Sequence, residues 1–178
     1  IYGTSVKVAA TYIVLFIIFG EVMNKCGMGQ FFNDIANALA GHTKGGPAKV
    51  AVLASGFLGS INGSAVANVV TTGTFTIPLM KKTGYSKEFA GSVEATASVG
   101  GQLLPPIMGA AAFVMAETLG VQYGVIIKAA VIPALLYYMG ILVQVQMRAT
   151  KEHLNGLPKE QMPKPGQVMR ERGHLLIP

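Results

Sequence analysis

The sequence predicts an all-α integral membrane protein organised around a re-entrant helical hairpin and a broken transmembrane helix. Three observations predict it. The chain is 51% hydrophobic and only 12% charged, whereas soluble domains carry about 25% charged residues. Its charges are segregated: residues 50–80 hold no Asp, Glu, Lys or Arg, residues 89–116 hold only Glu94, and residues 118–147 hold only Lys128. Each stretch matches or exceeds the roughly 20 residues that cross a bilayer. Two of these blocks are also interrupted by clustered Gly, Pro and small polar residues, which a simple spanning helix has no use for.

Taken in order, residues 1–28 form a transmembrane helix, apolar from Val8 to Met23 except for Glu21. Residues 29–46 form an interfacial amphipathic helix, with Phe31, Phe32, Ile35, Ala36 and Leu39 at helical spacing, Asn33, Asp34 and Asn37 between them, and Gly41 ending it. The basic clusters Lys44 with Lys49 and Lys81 with Lys82 and Lys87 bracket residues 47–82. Basic loops stay in the cytoplasm, so both ends of this block lie on one side. About 30 uncharged residues are too few for two crossings, which need about 40, and suffice for a re-entrant hairpin. Gly56, Gly59, Ser60, Asn62, Gly63 and Ser64 fall where its turn is needed. Non-helical backbone at that depth is tolerated only inside protein or beside water, so the tip is expected to line a site.

Residues 83–120 read as one crossing broken midway. A helical run reaches Ser98, meets Val99-Gly100-Gly101-Gln102-Leu103-Leu104-Pro105-Pro106, and is expected to resume from Ile107 to Glu117. Tandem prolines remove two amide donors and exclude a continuous helix. Residues 121–147 return as an unbroken span. Residues 148–174, with Pro158, Pro163 and Pro165 among charges, form a cytoplasmic or interfacial connector, and residues 175–178 the start of a further span. The first and last residues suggest a chain cut from a longer one, with its amino terminus outside. The net charge of +6 sits in loop clusters and reads as membrane anchoring in the lipid bilayer, not as nucleic-acid contact.

The two interruptions carry the chemistry. A helix that stops inside the membrane leaves carbonyls at the negative end of its dipole, ready to ligate a bare cation, and successive broken elements are how secondary transporters build a midplane site. Oxygen ligands for a hard cation such as sodium are offered by Gly59, Ser60, Asn62 and Gly63 on one side and Ser98, Gly100 and Gly101 on the other. Helix amino termini after Gly63 and after Pro106 aim free amides inward and suit a small organic anion; Ser64, Asn68, Thr71, Thr72, Gln102 and Pro106 make the candidate substrate set. Ser64, Asn68, Thr72 and Thr76 repeat every four residues as a polar stripe. For Thr72, Thr74 and Thr76, interhelical packing through small hydroxyls is the competing reading. Glu94, ionisable inside a span, is either an ion-linked carboxylate or a hydrogen-bonded structural one. Glu21 and Glu117 read as interface residues. Cys26 reads as a packing residue, and His42, His153 and His174 lack metal-ligand spacing. No Ser/His/Asp set, HExxH or intramembrane carboxylate pair marks an enzyme, and no covalent cofactor is expected. A channel with a re-entrant hairpin and a structural membrane subunit are the alternatives.

The run Gly59-Ser60-Ile61-Asn62-Gly63-Ser64-Ala65-Val66-Ala67-Asn68, followed by Ile77-Pro78, Gly84-Tyr85 and Phe89-Ala90, resembles the large membrane subunit of TRAP transporters, the DctM-like permease. The run from Gly100 to Phe113 is similar to the fused-permease branch served by TAXI-type binding proteins. The resemblance extends over essentially the whole chain, including Phe19-Gly20 and the stretch from Glu171 to Pro178. It implies an elevator-type, sodium-driven permease of the inner membrane of a bacterial or archaeal cell, taking up organic acids by symport. The chain would be one inverted-repeat half, completed by the remainder of the permease and a fused small-subunit region, and supplied by a TAXI-like periplasmic solute-binding protein. It also implies sodium sites between the hairpin tip, Gly59 to Ser64, and the unwound stretch Ser98 to Pro105. Many relatives have Ser in the tip where this chain has Asn62.

Overall fold

The computed structural model describes residues 3–154 and 156. Among these, all regular structure is helical: α1 (Gly3–Val8), a π-helical turn (Ala9–Ile13) and α2 (Val14–Lys25) run on as one rod, followed by α3 (Met28–Ala40), α4 (Gly46–Asn62), α5 (Ala65–Lys82), α6 (Lys87–Gly100), α7 (Ala110–Leu119) and α8 (Tyr123–Lys151). Two segments are long and apolar enough to cross a membrane, Val6–Met23 and Tyr123–Lys151. Both leave large apolar side chains exposed, among them Leu15, Ile17, Ile132, Leu136 and Met147, as residues that meet lipid or other apolar partners do. The expectations for residues 157–178 lie outside the described residues.

The helix ends follow from local chemistry. Pro47 occupies the first turn of α4, where a missing amide costs nothing. Gly63 ends that helix in the left-handed conformation, φ 61°, with its amide donating to the Gly59 carbonyl at 2.9 Å. Ser64 then starts α5, its hydroxyl accepting from the Ala67 amide at 3.3 Å. A two-residue connection makes α4 and α5 an antiparallel hairpin. Ser86 caps α6 in the same way, accepting from the Phe89 amide.

The core is layered around α4, which packs against α2, α3, α5, α6 and α8. On one side Met28, Phe31 and Phe32 of α3 close over Leu58, with Phe57 alongside. Leu39, at the same helical spacing, stays exposed, because the covered face of α3 ends with the small residues Ala36 and Ala40 against Val50 and Ala54. On the other side Ala48, Ala51 and Val52 meet Ala90, Val93 and Ala97 of α6 and Val145 of α8. Facing alanines let these backbones approach closely, the usual solution for helices in lipid.

The chain is broken between α6 and α7. The second half starts at Ala110, not at Ile107: the Ile107 amide is taken by the Ser60 carbonyl at 3.1 Å, Met108 has φ 64°, and the Gly109 amide donates to the Gln102 carbonyl at 2.8 Å. Pro106 therefore precedes the helix start by four residues, with Gly109 as its N-cap. This break rests directly on the hairpin. A Cβ on Gly59 would lie 2.7 Å from the Gly101 Cα and 2.9 Å from the Asn68 amide nitrogen, so only glycine fits. Gly59→Ala is expected to destabilise the protein by about 1–3 kcal/mol in thermal unfolding in detergent. Gly91→Ala, with nothing within 4 Å of its Cβ, is expected to be neutral or stabilising by about 0.5–1 kcal/mol.

Candidate functional site

The hairpin tip and the helix break meet at one place. Both α4 and α6 end there, bringing two negative dipole ends together, and both α5 and α7 begin there, bringing two positive ends. The tip's own polar atoms are partly used up locally. The Ser60 hydroxyl donates to the Phe57 carbonyl at 2.8 Å, and the Asn62 side-chain oxygen accepts from the Ser64 amide at 3.0 Å. The carbonyls of Gly59, Ser60, Ser98 and Gly100 each accept one or more backbone amides, and a carbonyl oxygen carries two lone pairs. Two of the buried side-chain atoms without a hydrogen-bond partner among the described residues lie at this junction: the Asn62 side-chain nitrogen and the Asn68 side-chain oxygen. The Asn68 nitrogen, by contrast, donates to the Ser55 carbonyl at 2.8 Å. A buried acceptor without a donor costs about 1–3 kcal/mol. It also offers an oxygen to a cation, and the surrounding donor set is all oxygen, as a hard cation requires.

Beside the tip lies a cleft of about 270 Å³, lined by Asn62, Gly63, Ser64, Gln102, Met108 and Phe113 among others. Phe113 stacks on Phe16 and Tyr123, so the cleft has an aromatic wall on one side and the α5 amino terminus on the other. The Tyr123 hydroxyl donates to the Ile107 carbonyl, pinning the break from α8. Asn68, Thr71, Thr72 and Pro106 do not line this cleft. Thr71 is half-buried, its hydroxyl donating to the Ala67 carbonyl. Thr72 is 4% exposed and turns inward with Asn68 and Thr76.

What Thr72 turns toward is Glu94, 0% exposed in the middle of α6. Its carboxyl group receives hydroxyls from Ser55 of α4 at 3.0 Å, Ser98 of α6 at 3.3 Å, and Thr72 and Thr76 of α5. Ser55 and Thr72 also lie 3.1 Å apart. The polar stripe of α5 is therefore interhelical, and Thr74, exposed and bonded to the Thr71 carbonyl, is not part of it. Sequence reasoning missed Ser55, one serine in the uncharged part of a helix of small and apolar residues. The cleft's aromatic wall was missed for the same reason, since a phenylalanine in a span carries no signal of its own. Among the described residues no group of three or more His, Cys, Asp or Glu could hold a metal ion. Lys7 and Glu117, at the exposed edge, form an ion pair at 2.9 Å, consistent with Glu117 lying near an end.

Replacing Thr76 by valine keeps its volume and removes a donor from the buried carboxyl. Thermal unfolding of Thr76→Val is expected to show a loss of about 1–3 kcal/mol, while Thr74→Val stays within about 0.5 kcal/mol of the parent.

Comparison of the sequence with known proteins points to one family. The family model described as "Tripartite ATP-independent periplasmic transporter, DctM component" matches residues 2–178. The chain is 30% identical over 159 residues to the C4-dicarboxylate TRAP transporter large permease protein DctM of Pseudomonas aeruginosa, covering 89% of this chain and 37% of that protein. It is 31% identical over 143 residues to a putative TRAP transporter large permease protein of Haemophilus influenzae, covering 80% and 33%, and 28% identical over 144 residues to the sialic acid TRAP transporter large permease protein SiaM of Vibrio cholerae, covering 81% and 33%. The chain thus spans about a third of the length of these relatives. Matched along nearly its whole length, the chain belongs to the DctM component family of tripartite ATP-independent periplasmic transporters.

Proposed function

We propose that this chain forms the site-bearing half of an inner-membrane permease that imports a small organic anion together with sodium. In this reading α4 and α5 are a re-entrant hairpin, α6 and α7 are the two halves of a broken crossing, and the bundle they form moves across the membrane as a unit. A TAXI-like periplasmic solute-binding protein delivers the anion, and the rest of the permease with its small-subunit region supplies the second repeat and the scaffold. The observation that carries the reading is the junction itself: two helix ends abutting at Gly59 and Gly101, sealed by the bond from the Ile107 amide to the Ser60 carbonyl.

That junction suits both ions. The carbonyls around Gly59, Ser60, Gly63, Ser98, Gly100 and Gly101, with the side-chain oxygens of Asn62 and Asn68, make an all-oxygen set to hold sodium. When bound, sodium supplies a positive charge beside the cleft. Ser64, Gln102 and the α5 amino terminus would then orient a carboxylate there. The relatives' names, C4-dicarboxylate and sialic acid among them, support an organic acid as cargo. Binding moves the bundle only through differential affinity for its two positions.

The test is uptake into proteoliposomes holding the full-length permease with its binding protein. Saturable uptake that needs both the inward sodium gradient and the binding protein is expected; conductive flux without the binding protein would contradict the reading in favour of a channel. Replacing Asn62 and Ser64 by alanine is expected to raise the sodium concentration for half-maximal uptake about tenfold or more, the equivalent of about 1.4 kcal/mol, with membrane insertion intact. An unchanged sodium dependence would remove the tip from the site.

A further inference from the structure

We propose that the furrow between α6 and α8 is a binding site for one anionic phospholipid of the cytoplasmic leaflet, its phosphate at Arg148 and Lys151 and an acyl chain lying over Gly140. No residue of the hairpin tip lines this furrow, so the site stands apart from the assignment of sodium and cargo to the tip.

Two adjoining clefts make the furrow, of about 430 and 600 Å³, with Phe89, Ser92 and Gln144 lining both. The first is mainly apolar, with Val93, Leu136 and Ile141 in its walls. Tyr137 ties the two helices together there, its hydroxyl donating to the Thr96 carbonyl at 2.9 Å. Gly140 is the gap in the α8 wall. A Cβ at this position would meet nothing within 4 Å, and Gly140 is not among the residues with positive φ. Glycine inside a helix is destabilising relative to alanine, and neither packing nor backbone conformation in the described residues calls for it here. A chain passing over bare backbone gives it a use. From Leu136 to Arg148 the helix rises about 18 Å at 1.5 Å per residue, close to the ~15 Å of hydrocarbon in one leaflet. The furrow therefore has the length of a lipid chain with its phosphate at one end.

That end is charged. The second cleft is lined by Arg148 and Lys151. Arg148 is already held in place: its guanidinium lies 5.4 Å from the centroid of the Phe89 ring, and Nη2 is 2.6 Å from the Glu152 carboxylate. Its Nε has no acceptor among the described residues, and a guanidinium carries five donors, so the fork has donors left for a phosphate. Arg148 and Lys151 against Glu152 leave one positive charge in excess. One phosphodiester balances it, whereas the ammonium of a zwitterionic headgroup would be repelled by Lys151. The mouth also sits at the basic end of the bundle. There α4 and α6 begin and α5 and α8 end, with Ala48, Met80, Tyr85 and Val145 in one core cluster and Lys49, Lys81, Lys82 and Lys87 nearby in the chain. Basic residues mark the cytoplasmic face, and basic pockets between spans on that side bind anionic headgroups. A helix of another polypeptide would have to bring its own carboxylate to this mouth; a phospholipid brings chain and anion in one molecule.

Native mass spectrometry of the purified full-length permease, titrated in detergent with phosphatidylglycerol or phosphatidylcholine, tests this. One phosphatidylglycerol is expected to bind the parent protein more tightly than phosphatidylcholine does. Lys151→Gln and Arg148→Gln are each expected to weaken phosphatidylglycerol about fivefold and to leave phosphatidylcholine unchanged. Gly140→Leu, which fills the furrow, is expected to abolish the tight site, while Gly91→Leu, equally unopposed but outside the furrow, keeps it. Lys151 is exposed, so its variant reads the headgroup even where Gly140→Leu fails to fold. Equal affinity for the two lipids, or parent-like binding in Lys151→Gln, would overturn the proposal. Displacement of the lipid by inorganic phosphate would overturn it in favour of a free-anion site, and unchanged lipid binding with lowered thermal stability in Gly140→Leu in favour of a protein helix in the furrow. The titration uses neither sodium nor cargo, so its failure is distinct from failure of the transport reading.

Discussion

Two helices end against each other at Gly59 and Gly101, and in an apolar solvent that contact has to be made by backbone alone. A helix that stops in water leaves its last carbonyls to the solvent; one that stops among apolar helices must find partners in the protein. Here the helix break supplies one to the hairpin, through the Ile107 amide on the Ser60 carbonyl, and the hairpin supplies another to itself, through the side-chain amide of Asn68 on the Ser55 carbonyl. A side chain at either glycine would hold the two elements apart and expose both sets of unpaired groups. The alanine seams between α4 and α6 and the pinning of Ile107 by Tyr123 serve the same close packing.

A second constraint lies one to two helical turns below. Glu94 draws α4, α5 and α6 onto one carboxyl group, so the hairpin and the first half of the broken helix are fastened at two levels, one of backbone and one of hydroxyls. Fastening of that kind fits a bundle that moves as one body, because sliding either hairpin arm against α6 would break bonds with no water available to replace them. It also separates two kinds of polar residue in α5. Ser64 faces the cleft, while Asn68, Thr72 and Thr76 face inward.

Much of this was legible in the sequence. Charge-free blocks, basic brackets and the glycine and proline clusters located the hairpin and the break, because apolar solvent imposes rules strong enough to read without a partner structure. Glu94 stood out for the same reason. Other features were hidden. Serine at position 55 is ordinary in a helix of small residues, and only the fold reveals that it faces Glu94. The start of α7 was placed too early because tandem prolines are compatible with a first helical turn, whereas the amide of Ile107 is claimed by Ser60, distant in sequence, and that of Gly109 by Gln102 across the break. Leu39 fitted the apolar spacing of α3, but the covered face of that helix closes with its own Ala36 and Ala40 against Val50 and Ala54 of α4. Periodicity reports a face; it does not report how much of that face is covered.

The central claim is that the junction of hairpin tip and helix break is an ion site inside the membrane. High-resolution electron cryomicroscopy of the full-length permease in lipid nanodiscs, with sodium and with choline in its place, tests it most directly. The account predicts density with short oxygen contacts from the Gly59–Asn62 and Ser98–Gly101 segments, present in sodium and absent in choline. A well-resolved junction that looks the same in both salts, or a continuous water-filled path through it, would contradict the account.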